Sequence, residues 1–140
     1  MLYFFIRYDM ISLEMFGSDI IRVKINGFLK NNTENEIIVF NENGIKNKNK
    51  ISFLNDNVKY NITYYDSEVI IKREGNDFIN CFKFSINRGI CNYILKDNNY
   101  DVDIDIKTTY INVNDNFIWV KYIIIDSGCE YEFKIEMSDV

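Results

Sequence analysis

Histidine is absent from this chain of 140 residues. Its absence removes the Ser-His-Asp and Cys-His catalytic arrangements and the commonest general base near neutral pH. Proline is absent too, so no strand interior lacks a ladder donor. Cysteine is scarce: Cys81, Cys91 and Cys129 are odd in number and show no Cys-x-x-Cys spacing. A structural zinc site needs about four nitrogen or sulfur ligands at suitable spacing, so none is expected, and the thiols read as reduced and unbridged. Long apolar runs are missing as well. Leu2 to Ile6 is apolar, but Arg7 and Asp9 follow at once. A membrane span wants ~20 apolar residues, and a secretory signal wants a basic start before a longer apolar stretch. The expectation is a soluble cytoplasmic protein with no membrane association. Positive charge is short: 16 Lys and Arg stand against 21 Asp and Glu, a net charge of −5. General nucleic-acid binding rests on neutralising phosphates and is therefore not expected. Lys46, Lys48 and Lys50 in a polar loop are a local exception, read as a solvated run.

What the chain does have is alternation. In Tyr100 to Thr108, Val102, Ile104, Ile106 and Thr108 share one parity, and Asp101, Asp103, Asp105 and Lys107 share the other. A strand sends alternate side chains to opposite faces, so this segment is a strand with one buried and one solvated side. Phe117 to Ile125 and Glu130 to Met137 follow as two more strands behind short polar turns. Aromatics at 16 % and many Ile and Val residues favour the same reading, since such side chains fit a pleated surface.

Taken in order, Met1 to Ser18 fits no clean period and is set apart as an N-terminal extension. From Asp19 the pattern sharpens, and the spacing predicts strands over residues 21–26, 36–40, 51–54, 58–65, 69–74, 78–86 and 90–95, before those already named. Gly27 is expected to end or bend the first, and Asn41 to Gly44 to form a turn. Nine or ten short strands with regular turns are the signature of an all-β sandwich or barrel. Because nearly every connection is hairpin-short, residues 19–140 are expected to form a single antiparallel up-and-down β-barrel, whose closure removes the open edges.

Val69-Ile70-Ile71-Lys72-Arg73-Glu74-Gly75 resembles the Arg-x-Gly strand end of the small bacterial YwiB-like family, a domain of unknown function. Further likenesses follow in order: Asn43-Gly44, Lys50-Ile51-Ser52-Phe53, Phe82 and Phe84 ahead of Gly89, Ile106-Lys107-Thr108, and Val120-Lys121-Tyr122 before Gly128. The resemblance covers Ile20 to Met137 and leaves residues 1–18 outside it. One departure is visible, since Phe53 stands where the family usually shows a Tyr, which removes a hydroxyl. The resemblance implies a calycin-like barrel, related in shape to lipocalins and fatty-acid-binding proteins. It implies no established activity.

Candidate chemistry centres on Arg73, which shares the parity of Val69 and Ile71 near a strand end. An inward cation needs partners, because an unpaired buried charge is costly. It would anchor a ligand carboxylate or phosphate, aided by Tyr hydroxyls; Arg73, Tyr64, Thr108 and Tyr122 are the candidate ligand-binding residues. The competing reading is a structural Arg that closes one barrel end by stacking on an aromatic ring and bonding carbonyls. Asp101, Asp103 and Asp105, like Glu130, Glu132 and Glu136, sit two apart on extended strands, about 7 Å between neighbours. That is too wide for one compact cation cage, so they read as solvated faces, with no metal and no paired-carboxylate site. Strand 117–125 is apolar on both faces, with Phe117, Trp119, Ile123 and Ile125 on the outer one. That face calls for a cover, either Met1 to Phe16 or a homodimer partner. The functional expectation is a non-enzymatic barrel, without cofactor or catalytic residues, that binds a small apolar or amphipathic ligand or a protein partner. The alternatives are a histidine-independent enzyme using the same cavity, and a translation- or RNA-associated protein working through Lys46 to Lys50.

Overall fold

The computed structural model describes residues 20–140. The expectations for residues 1–18 as an extension, and for Met1 to Phe16 as a cover, lie outside the described residues. Ten strands follow one another: β1 (Ile20–Asn31), β2 (Glu36–Asn47), β3 (Lys50–Asn55), β4 (Val58–Tyr65), β5 (Glu68–Glu74), β6 (Phe78–Ser85), β7 (Arg88–Leu95), β8 (Tyr100–Val113), β9 (Phe117–Ile124) and β10 (Glu130–Asp139). Each pairs antiparallel with the next, and β1 returns to pair with β10, so the sheet is a closed up-and-down barrel. Among the described residues no helix is long and apolar enough to cross a membrane.

The turns explain why so short a supply of glycine suffices. Asn35, Asp56, Asn57, Asn87 and Asn99 all take positive φ, as does Lys48. Asn and Asp tolerate this region because the short polar side chain bonds locally. Asp56 (φ 49°) and Asn57 (φ 63°) alone connect β3 to β4, the backbone of a two-residue I′ hairpin.

Two glycines act through size instead, and here the sequence-based expectations need correction. β1 does not stop at Gly27 but runs on to Asn31. A Cβ at Gly27 would collide with the Lys134 carbonyl oxygen on β10, so glycine lets two strands approach closely. Asn41 to Gly44 is not a turn either. β2 passes straight through it, and a Cβ at Gly44 would lie 2.7 Å from the Ser52 carbonyl oxygen and 3.3 Å from Ile25. Strand β8 also extends past the expected Thr108 to Val113, with a bulge between Thr108 and Tyr110. The extra residue shifts the parity, so Ile106 and Thr108 before it and Ile111 and Val113 after it all face inward.

The interior is filled by alternating rows. Ile25, Ile51, Val69, Ile118, Val120 and Ile135 are fully buried. Phe40 packs edge-on against Phe53 and Tyr60, at 5.4 and 5.1 Å between ring centroids. Phe53 and Tyr60 stack in parallel at 4.8 Å. A second aromatic group joins Phe82, Phe84, Tyr122 and Tyr131, with Tyr122 stacked on Tyr131 at 5.2 Å.

Candidate functional site

Strand direction divides the barrel into two ends. The turns after β1, β3, β5, β7 and β9 gather at one end, and those after β2, β4, β6 and β8 at the other. Arg73 lies near the C-terminal end of β5, at the first end, on the inward row of Val69 and Ile71. It is half-buried there. Its Nε donates to the Tyr60 hydroxyl at 3.2 Å, and its guanidinium carbon stands 5.4 Å from the Tyr60 ring centre and 5.5 Å from that of Phe78. Gly75 makes room for this arrangement, since a Cβ there would strike the Phe78 ring. The Phe78 ring in turn lies parallel to Tyr93 at 6.3 Å. Arg73 is thus inward and meets aromatic rings, as its parity implies, and no carboxylate among the described residues forms an ion pair with it.

The cross-strand order at this level is Tyr60, Arg73, Asn80, Tyr93 on β4, β5, β6 and β7. Asn80 shares the inward parity of Phe82 and Phe84 and is 4 % exposed. Its Oδ1 has no hydrogen-bond partner among the described residues. Asn80 lies on the neighbouring strand, directly across the β5–β6 ladder from Arg73.

The positive charge of Arg73 reaches three more groups. Burial is the main influence on Tyr60, Cys91 and Tyr122, and it pushes each above its ordinary range, Cys91 to about 11. Arg73 acts on all three in the opposite sense. At neutral pH the site therefore offers two neutral phenols and a neutral thiol around one fixed cation. Leu29, Phe82, Ile104 and Tyr131 are partly buried and pack against the core from this half of the barrel.

Of the four candidate residues, the fold brings Arg73 and Tyr122 into this neighbourhood. Tyr64 and Thr108 sit elsewhere. Tyr64 lies four residues beyond Tyr60 on β4, roughly 13 Å along the strand, and its hydroxyl donates to the Lys48 carbonyl oxygen at 3.3 Å. The buried Thr108 hydroxyl donates to the Arg88 carbonyl oxygen. Both close backbone groups near the opposite end. Tyr60 and Asn80 replace them at the Arg73 level. Tyr60 was visible as an alternating residue of β4, and Asn80 as a polar residue on the row of Phe82 and Phe84.

Trp119 is covered by its neighbours: Lys134 Nζ stands 4.4 Å and Lys121 Nζ 5.3 Å from its ring centre, and Tyr110 packs edge-on at 5.1 Å. The indole Nε1 donates to Glu132 at 2.7 Å. The two ammonium groups thus meet the ring itself, as cation–π contacts. Ile125 belongs to the turn after β9 and is exposed. Asp101 and Asp103 form an outward ladder bridged by Asn92 Nδ2, 2.8 Å from each. Lys46 Nζ donates to the Asp115 carbonyl oxygen at 2.9 Å, so the lysine run is partly tied to the neighbouring turn. Cys91 faces inward, whereas Cys81 sits one position out of phase with inward Phe82, so these free thiols occupy opposite faces of the sheet.

No family model matches the sequence, and no curated protein matches it. Among solved structures, the chain is similar to the crystal structure of the YwiB protein from Bacillus subtilis, with a TM-score of 0.61 and 17 % identity over 86 % of this chain and 92 % of that one. The resemblance read from the order of short motifs is matched by shape. At this identity the likeness concerns the fold.

Proposed function

We propose that this protein is a non-enzymatic, cytoplasmic, calycin-like barrel that binds a small amphipathic ligand, its anionic head at Arg73 and its apolar part among Leu29, Phe82, Ile104 and Tyr131. The observation that carries this reading is the state of Arg73: half-buried, in contact with two aromatic rings, and without a carboxylate partner among the described residues. The rings lie against the guanidinium and Tyr60 takes the Nε proton, and among the described residues no bond is made by the Nη edge, which suits paired bonds to a carboxylate or phosphate. The Tyr60 oxygen accepts from Arg73, so its own proton remains available to the same anion. Catalysis fits less well. Burial holds Tyr60, Tyr122 and the Cys91 thiol in their neutral forms at pH 7, away from the range useful for proton transfer or nucleophilic attack.

Titration calorimetry with octanoate tests the reading. The wild-type protein should bind it, and Arg73→Met should bind at least about tenfold more weakly while remaining folded, since a charge-assisted hydrogen bond contributes about 1.5–3 kcal/mol. Arg73→Lys should fall between them, because it keeps the charge but loses the planar fork. If the wild-type protein takes up no octanoate and Arg73→Met only lowers the melting temperature, Arg73 is a structural plug and the reading fails.

A further inference from the structure

Across the strand ladder from the Arg73 cation lies an acceptor that the described residues leave unanswered, and resting on the ligand-binding reading above, we infer from it the class of head group. The ligand carries, next to its anion, a hydrogen-bond donor that pairs with Asn80 Oδ1. Asn80 is 4 % exposed, its Oδ1 has no partner among the described residues, and it stands directly across the β5–β6 ladder from Arg73. An unmet acceptor at such a buried position is costly, so chains normally supply a donor for it. Arg73, its cross-strand neighbour, does not answer it: Nε donates to Tyr60, and the guanidinium carbon stands 5.4 and 5.5 Å from the Tyr60 and Phe78 ring centres. On the other side of Asn80 stands Tyr93, whose ring lies parallel to Phe78.

The row therefore presents donors on one strand and a lone acceptor on the next. Adjacent strands are about 4.8 Å apart, so an anion at Arg73 and a donor at Asn80 lie within a few bonds of each other. A plain fatty acid has only the anion. A carboxylate with an N–H or O–H a few bonds away, as in N-acyl amino acids or hydroxy acids, answers both. An acceptor in place of that donor would face the Asn80 oxygen with like polarity and be rejected, so the same atom that recognises the ligand excludes its near relatives.

A matched pair of probes isolates the donor: N-octanoylglycine, with an amide N–H, and N-octanoylsarcosine, in which a methyl group replaces that hydrogen. Titration calorimetry of the full chain should show the glycine conjugate binding about tenfold more tightly. Asn80→Leu should reduce that ratio to near one, and where Leu disturbs folding, Asn80→Ala, which only removes atoms, carries the same expectation. Equal binding of the two probes by the wild-type protein would assign Asn80 to water and overturn the inference, while ligand binding at Arg73 stands. A preference that persists in both Asn80 variants would overturn it too, as the discrimination would then be steric. Failure of both probes where octanoate binds also contradicts it, and failure of all three removes the underlying reading as well.

Discussion

Asparagine takes over work here that glycine does in many chains, and that masks one asparagine with a different task. Asn35, Asn57, Asn87 and Asn99 supply positive φ at turns, and Asn31 accepts from the Thr33 and Glu34 amides at 3.0 Å to shape the β1–β2 turn. Asn80 is buried on an inward row, and composition alone cannot separate it from the turn formers. Arg73 was legible because a lone cation on an apolar parity has few bland explanations. Tyr64 and Tyr60 share one parity, so only the positions of the strand ends reveal which hydroxyl meets the guanidinium. Size is equally selective at Gly27: Gly27→Ala should cost about 2–3 kcal/mol, as forced overpacking does, read as a lower urea midpoint at unchanged m-value. Cys91 yields a prediction from its environment. Its pKa is raised from 9.0 to about 11, so the folded thiol keeps its proton where the unfolded one loses it. The stabilisation is complete below pH 9 and is lost as pH rises through about 11. Cys91→Ser should flatten that alkaline decline in melting temperature. At pH 8, Cys91 should also react with a soluble disulfide reagent more slowly than the part-exposed Cys81 and Cys129.

At the scale of elements, periodicity located the strands and missed what interrupts periodicity. The strand over 58–65 matches β4, and those over 69–74, 78–86, 90–95 and 117–125 begin and end within two residues of β5, β6, β7 and β9. The Thr108–Tyr110 bulge reverses parity inside β8, which hid its second half, and Gly44 reads as a turn former until the packing of β3 against it is known. β9 illustrates the other limit. Its outer residues looked apolar when taken strand by strand, yet Lys134 on β10 and Tyr110 on β8 come from neighbours that only the pairing register identifies. Trp119 is the sole tryptophan, so its fluorescence reports this cluster alone. Lys134→Ala should lower stability by about 0.5–1 kcal/mol, the scale of an exposed cation–π contact, and shift the emission to the red.

For the molecule as a whole, closure of β1 on β10 joins the two ends of the described chain and gives every described strand a partner on both sides. Hairpin-short connections and strict alternation made that architecture legible, and the shared shape of the YwiB protein from Bacillus subtilis agrees with it. The contents of the barrel were less legible, since the register between strands decides which inward residues converge. At one end Arg73, Tyr60, Asn80, Cys91 and Tyr122 converge, and the central claim is that this group receives the head of an amphipathic ligand. A crystal structure of the protein grown with octanoate tests it most directly. The carboxylate should lie on the Arg73 guanidinium and Tyr60 hydroxyl, with the alkyl chain against Leu29, Phe82 and Ile104. Octanoate on the outer surface, with the Arg73 neighbourhood unchanged, would contradict it.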